Sequence, residues 1–405
     1  MSAADREALS EYAELRLKPH EDRRLNQGHL WVFSNEVDTD ATPLTSFEPG
    51  ALAQLRSSRD RFLGYVYVNP HSLISARILA RNLEDRPGPE LFERRLKDAL
   101  SLRERTHGAP YYRLVYGESD LLPGLIIDRY GDICAIQIAT AGMEAQRSAV
   151  LEALEHVLHP SGVLLKNDSG ARDLEGLPHY VEVAAGTVPE QVEVVEAGLS
   201  FRVPLAGGQK TGWYYDQTFN RAQFLPLARG ARRVLDVCGY AGAWGIRAAL
   251  ANQGHATVVD ASAGALAVAA ANAERLGVAL TTVKGDAFDV LARLKEERAE
   301  FDLVVLDPPA FVKRRREAAR GEAAYRRLNQ LAMQVMAPDA LLATCSCSYH
   351  LDLAAFTGAV HSAARHLGRE AQIIATGGQS PDHPVHAAIP ETRYLKALLL
   401  RLAVP

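Results

Sequence analysis

Apolar and polar positions along the chain change their period twice, and the changes mark three regions. Up to about residue 82 short alternating segments dominate, as in Ala51-Leu52-Ala53-Gln54-Leu55 and Phe62-Leu63-Gly64-Tyr65-Val66-Tyr67-Val68. Such runs, with turn residues between them, predict a small β-rich domain over residues 1–82. A break at Arg86-Pro87-Gly88-Pro89 precedes a charged helical stretch over 90–105. Strand-like runs at 112–116, 124–128, 133–138 and 162–166, with a helical run at 145–158, predict a central α+β domain over 83–190. From about 191 to 405, apolar runs at 233–237, 256–259, 280–283, 301–306 and 341–344 alternate with Ala- and Leu-rich helical stretches, and 394–402 suits a last apolar strand. Near-continuous apolar strands interleaved with helices predict an α/β, doubly wound, mostly parallel sheet.

Composition narrows the class. A chain of 405 residues is too long for one ordinary core. Its 47% hydrophobic and 23% charged content are those of a soluble globular protein. No stretch approaches the roughly 18 unbroken apolar residues of a membrane span. The start, MSAADREALSEYAELRLKPH, has no apolar core of a signal peptide. Four dispersed cysteines do not make a disulfide framework, so a reducing, cytoplasmic setting is expected.

The net charge of −4 argues weakly against a nucleic-acid partner. Local charge qualifies that. Lys313, Arg314, Arg315, Arg316, Arg320, Arg326 and Arg327 outnumber Glu317 and Glu322 within residues 313–327. The run is a solvated helix face or a phosphate track, and its place beside a candidate pocket favours the track. Near the N-terminus, Arg16, Lys18 and Trp31 could contact or stack on RNA, although buried β-barrel aromatics are the commoner reason for such a tryptophan.

The candidate pocket is built from strand ends, where open α/β sheets place ligands. The run 234–245 reads as strand, glycine turn and helix. A dinucleotide fingerprint would need glycine at 239, 241 and 244, and these are Gly239, Ala241 and Trp244. Asp236 inside the strand would repel a pyrophosphate. It suits a cationic ligand such as S-adenosylmethionine, contacted by Asp236, Gly239, Tyr240, Ala241 and Gly242. Asp260 with Ala261, 24 residues after Asp236, stands where a carboxylate accepts from ribose hydroxyls. Asp286 with Ala287 could take the adenine. Four acids in sequence, Asp236, Asp260, Asp286 and Asp307, each end or flank a predicted strand.

Asp307 opens an Asp-Pro-Pro-Ala-Phe loop, and Cys345 follows it by 38 residues within Thr344-Cys345-Ser346-Cys347-Ser348. Prolines fix φ and remove donors, so the loop is stiff and presents carbonyls. Carboxylate and thiol at one flat pocket suit covalent chemistry on a pyrimidine. A thiolate adding to C6 makes C5 nucleophilic toward a sulfonium methyl. Asp307 would hydrogen-bond N3, and the Pro308 carbonyl would accept from the exocyclic amine. Cys345 ranks first as nucleophile because it is nearest the strand end, with Cys347 assisting or silent. Zinc binding by the pair is disfavoured because no second pair or ligand spacing exists, and no metal is expected.

These residues resemble the RlmI-type cytosine-5 methyltransferases of large-subunit (23S) ribosomal RNA, and the resemblance covers essentially the whole chain. It rests on Arg16-Leu17-Lys18 with Gly28-His29-Leu30-Trp31-Val32-Phe33, similar to that family's PUA RNA-binding domain, and on the run 115–132 in the central region. It rests also on Gly208-Gln209-Lys210-Thr211-Gly212-Trp213-Tyr214-Tyr215-Asp216-Gln217 with Asn220 and Arg221. The resemblance implies a Rossmann-like class I methyltransferase domain and S-adenosylmethionine held at Asp236, Gly239, Asp260, Asp286 and Asp307, with Gln217 beside it. It implies the Thr-Cys-Ser cysteine as nucleophile, ribosomal RNA as partner and often a homodimer. RNA contacts are expected at Pro308, Pro309, Phe311, Lys313, Arg314, Arg315, Lys210, Arg16, Lys18 and Trp31. One departure is Ala310, where many relatives carry Lys. Two other readings stay open: methylation of an exocyclic amine of guanine or adenine without a thiol, and an RNA-binding assembly protein with a vestigial cofactor pocket.

Overall fold

The computed structural model describes residues 12–208 and 211–403, and the chain divides into two compact units. The first takes in residues 12–194, 204–213 and 381–392, and the second residues 195–203, 214–380 and from 393 onward.

The first unit holds two five-stranded sheets. One is built from β1 (Ala13–Arg16), β2 (Trp31–Phe33), β3 (Leu52–Arg56), β4 (Phe62–Val68) and β5 (Ile74–Ala80), in the order β1-β3-β4-β5-β2, with the short helix α1 (Arg23–Asn26). The other joins β6 (Tyr111–Tyr116), β7 (Leu125–Tyr130), β8 (Ile133–Ile138), β9 (Gly162–Asn167) and β10 (Tyr180–Gly186), with helices α2 (Pro89–Thr106), α3 (Ala141–Ala145) and α4 (Arg147–Leu158). β4 explains why the two sheets share a unit. Successive side chains of a strand point to opposite faces, and in β4 Val66 and Val68 enter the first core while Tyr65 and Tyr67 enter the second. A strand buried on both faces cannot alternate in polarity, and β4 is apolar almost throughout. The distant segment 381–392 closes this unit. Ile389 joins the first core, and the Asp382 carboxylate accepts from the Arg113 amide (2.9 Å) and pairs with His383 (2.8 Å).

A two-stranded ribbon, β11 (Gln191–Glu196) and β12 (Leu199–Pro204), precedes the second unit's main sheet. That sheet has seven strands: β13 (Arg233–Val237), β14 (His255–Asp260), β15 (Ala279–Lys284), β16 (Phe301–Leu306), β17 (Met336–Ser346), β18 (Glu370–Gly378) and β19 (Lys396–Ala403), in the order β15-β14-β13-β16-β17-β19-β18. The five strands from β15 to β17 are parallel, and β19 runs antiparallel to both its neighbours. Helices α5 (Thr218–Phe224), α6 (Ala243–Asn252), α7 (Ala263–Leu276), α8 (Ala287–Glu296), α9 (Ala318–Met333) and α10 (Leu353–His366) complete the unit. Three have side-chain caps, from Ser262 on α7, Asp286 on α8 and Asp352 on α10, each accepting a first-turn amide that would otherwise lack a partner. Strand order reverses between β13 and β16, so the crevice beyond their carboxyl ends is the expected ligand position. The doubly wound sheet anticipated from periodicity is thus present, with one antiparallel strand inserted. No helix among the described residues is long and apolar enough to cross a membrane.

Among the glycines of the first unit the closest approach is at α3, where a Cβ on Gly142 would meet the Tyr67 ring at 1.9 Å. That ring is fully buried, and its hydroxyl lies between Pro123 O and the Thr140 hydroxyl at 3.0 Å each. Gly142→Ala is expected to destabilise this unit by about 1–3 kcal/mol in denaturant unfolding, and Gly108→Ala, whose Cβ would meet nothing within 4 Å, to be near neutral. Equal effects at the two positions would contradict this packing.

Candidate active site

Parallel register sets the site. Val237 of β13 is level with Val259 of β14 and Leu306 of β16, and Leu306 with Thr344 of β17. One residue further along, Cys238, Asp260, Asp307 and Cys345 therefore emerge at a common level, followed by Gly239, Pro308 and Ser346.

The loop after β13 is backbone-strained. Cys238 (φ 62°), Tyr240 (φ 47°) and Gly242 (φ 77°) all lie in the left-handed region, which costs most for the two residues that carry side chains. Fixed partners hold it. The Cys238 amide donates to Val259 O (2.8 Å), and the Tyr240 amide to Asp260 Oδ2 (3.1 Å). Asp260 Oδ1 meanwhile accepts from the Ser262 amide (2.8 Å). Each Asp260 oxygen thus takes one backbone donor and keeps capacity for a hydroxyl.

Asp236 sits beneath this loop. Its carboxylate is fully buried, and Oδ2 accepts from the Gly245 amide at 2.9 Å. A Cβ on Gly239 would meet Oδ2 at 2.8 Å, so only glycine lets the loop close over the acid. Burial pushes the Asp236 carboxyl up to about 7, opposed by the Gly245 hydrogen bond. Asp236 therefore supports the loop from below, and the direct contact with a cationic ligand anticipated for it has to be corrected. Asp286 is exposed, and its Oδ1 accepts from the Phe288 amide (2.9 Å) as the cap of α8. Beside it, Phe288 and Phe311 lie 6.0 Å apart. These residues fit S-adenosylmethionine: a glycine cradle, a carboxylate level with it at Asp260, and an aromatic wall. Among the described residues no cluster of three His, Cys, Asp or Glu side chains is placed to hold a metal ion.

Across the crevice, two loops are stitched together. The Val312 amide donates to Ser348 Oγ (3.0 Å), which also meets Tyr325 Oη (2.9 Å), and the Cys347 thiol points at Pro308 O (3.7 Å). Gln217, from the turn before α5, spans the same floor. Its amide donates to Asp307 Oδ1 (2.8 Å), and its carbonyl accepts from Asn220 (2.6 Å) and lies 3.9 Å from Cys345 Sγ. Arg221 anchors α5 through a buried bidentate pair with Glu196 (2.6 and 2.7 Å), which Arg247 also contacts. Asn220 and Arg221 have no periodic signature, and only their place in a family-like motif marks them in the sequence.

The two cysteines differ. Cys345 is fully buried, and burial together with Asp307 pushes its thiol well above the ordinary value. Cys347, two residues on, is half-buried at the mouth. Cys345, expected as first nucleophile because it is nearest the strand end, thus lies deepest in the sheet, and Cys347 lies nearer to solvent. Cys238 is no rival, since burial and four surrounding carboxylates push it up to about 12.

Comparison with known proteins shows the family. A PUA-like domain matches residues 15–81, and an S-adenosylmethionine-dependent methyltransferase family matches residues 178–369. The ribosomal RNA large subunit methyltransferase I of Pseudoalteromonas atlantica is 34% identical over 95% of this chain and 98% of its own length. The protein of the same name from Aeromonas salmonicida is 34% identical over 94% and 97%. The chain belongs to the ribosomal RNA large subunit methyltransferase I family. It is an enzyme, and its methyl donor is S-adenosylmethionine. Among solved structures, a chain described as a methyltransferase, SMU.776 complexed with SAH, shares the fold at a TM-score of 0.81 and 19% identity, covering 96% of this chain and all of that one. A second, from Streptococcus mutans, superposes at 0.79, with 19% identity over 96% of this chain and all of its own.

The remaining candidates of this family member distribute as follows. Pro309 is exposed and Phe311 packs on Tyr325 at 4.7 Å. Lys313, Arg314, Arg315, Arg316, Arg320, Arg326 and Arg327 are all exposed, with Arg327 over the Phe288 ring at 5.5 Å. In the first unit, Arg16 pairs with Glu14 (2.5 Å) and Asp60 (2.9 Å). There Lys18 donates to Asn35 O (3.0 Å), and Trp31 donates to Glu118 (2.9 Å) with its ring edge-on to His29. Trp31 is thus tied to the second sheet's segment of the same unit. Lys210 lies outside the described residues.

The buried acid generates a pH prediction. A carboxyl raised from its ordinary value near 4 to about 7 binds more protons folded than unfolded, so between those values its contribution to stability falls as pH rises. Asp236→Asn removes that titration. The variant is expected to gain on the order of 2 kcal/mol relative to wild type between pH 5 and 7, read from urea unfolding at both values. A difference that does not change with pH would rule out a buried, neutral Asp236.

Proposed function

We propose that this enzyme forms 5-methylcytosine in large-subunit (23S) ribosomal RNA, with Cys347 as nucleophile and Asp307 as the group that orients the base. The observation that carries the reading is the half-buried Cys347 thiol facing the Pro308 carbonyl, one residue from an Asp307 held by Gln217. Bound S-adenosylmethionine supplies an electrophilic methyl. The protein's part is to make C5 nucleophilic. The Cys347 thiolate bonds to C6, the C5=C6 π bond opens, and Asp307 relays a proton taken from solvent to N3 as negative charge gathers there. After C5 has gained the methyl, its proton leaves to water. The C6–S bond then breaks, re-forming C5=C6 and the thiolate, and N3 returns its proton through Asp307 to solvent. Preorganised contacts of this kind are commonly the largest catalytic contribution.

The target base would have to leave its stack to reach such a recess. The exposed basic run over residues 313–327, which starts two residues beyond Phe311, suits the flanking phosphates. The PUA-like domain and the names of the relatives support ribosomal RNA as substrate. The reading includes the cytoplasm as setting and a homodimer as assembly, the form often implied by the family resemblance.

The test maps methylated cytosines in ribosomal RNA from cells lacking the gene and from cells re-expressing variants. Deletion is expected to remove a modified cytosine, wild type to restore it, and Cys347→Ala to leave it absent, with at least about a thousandfold loss of rate in vitro. Cys345→Ala should retain activity within a few-fold. Full activity of Cys347→Ala, or methyl label on an exocyclic amine, would replace this reading.

A further inference from the structure

A lysine is an unexpected residue at the buried start of an apolar strand, yet Lys396 opens β19 opposite Ser346 of β17, only 8% exposed. Buried ammonium groups are costly unless satisfied. Lys396 Nζ donates to Ser348 O (2.5 Å) and Tyr394 O (2.8 Å), two neutral carbonyls and not a carboxylate. The first of these belongs to the residue after Cys347, so the ammonium braces the turn that carries the thiol. A cation held by dipoles alone still has its charge to offer to a neighbouring anion.

Resting on the reading of Cys347 as nucleophile, we propose that Lys396 is a positioning residue whose ammonium stabilises the Cys347 thiolate and fixes the Cys347–Ser348 turn. Thiols become nucleophiles as thiolates, and adjacent cations favour that form. In the proposed step the Cys347 Sγ–H bond breaks, its proton leaves to solvent, and the electron pair stays on sulfur beside the ammonium. The other groups around the pair work differently. Tyr325 of α9 and Cys345 of β17 are neutral near pH 7, and Asp307 and Asp352 are acids that disfavour a second negative charge. Lys396 is thus a cation set beside the turn that carries the thiol. Burial lowers its own titration to about 8, opposed by Cys347 and Asp352. Its help to the thiolate is therefore present at neutral pH and fades as pH rises through that value.

The test follows alkylation of Cys347 by iodoacetamide against pH in the whole enzyme, with the modified residue assigned by tandem mass spectrometry. Wild-type Cys347 should titrate below the free-cysteine value of about 8.5. Lys396→Met keeps the apolar stem, and in it the alkylation rate at pH 7 should fall about tenfold or more while the midpoint rises. The pH profile of kcat should move the same way. A thermal melt checks that the variant is folded. If it is not, the wild-type midpoint decides alone, and a value at or above that of free cysteine overturns the proposal. A variant that is folded and alkylates like wild type also overturns it, leaving the methyltransferase reading intact. Full methyl transfer by Cys347→Ala would instead remove that reading, whatever the alkylation profile.

Discussion

The level at which parallel strands end is the constraint on which the second unit's chemistry depends. Register between β13, β14, β16 and β17 is set by hydrogen bonds deep inside the sheet, far from any reacting atom. A slip of one residue would turn every side chain of a strand to the opposite face. Because both faces of these strands are buried, such a slip would place the acids and thiols in the helical layers. The apolar runs that make the strands legible are thus also what holds Asp260, Asp307 and the cysteines at one rim. Chemistry at the carboxyl ends is a consequence of packing in the middle.

Polar groups under the rim carry a second kind of order. Asp236 is buried with only the Gly245 amide on one oxygen, and among the described residues the other has no hydrogen-bond partner. That arrangement costs stability, and left-handed Cys238 and Tyr240 above it add to the cost. Expense of this sort persists where a loop must hold one shape. Gln217 plays the corresponding part on the other side, its amide oriented by Asn220 so that its donor end faces Asp307. An amide used this way adds no charge beside the carboxylate it holds.

Legibility in the sequence follows burial. β13, β14, β16 and the start of β6 through β9 coincide with predicted runs to within a residue or two, because each is apolar enough to stand out. β10 and β18 were not anticipated. Both are exposed along most of their length and lack a clean alternation. The apolar run over 394–402 predicts a strand, and β19 is there, but its antiparallel insertion between β17 and β18 is decided by contacts that no local pattern encodes. The return of residues 381–392 to the first unit is invisible for the same reason. It depends on single residues such as Ile389 and Asp382, whose partners lie hundreds of positions earlier.

The two cysteines show where pattern reading of a site stops. Residues at i and i+2 of an extended chain share a face, and both thiols do pack toward the same cluster. Sharing a face does not mean sharing a depth. Along a strand that ends at a crevice, each pair of residues moves the side chain about 6–7 Å toward solvent, roughly the difference between a sealed interior and a half-open mouth. On the proposed reading of Cys347 as nucleophile, proximity to the strand is not the criterion for reactivity. It selects the thiol with the most sheet around it, whereas nucleophilic attack needs the thiol with the least sheet that is still held in place. Cys347 meets that condition because the turn beyond β17 is held by Ser348, which binds the Val312 amide and Tyr325, and by Lys396 from the neighbouring strand. A residue outside regular structure is positioned as firmly as one within it.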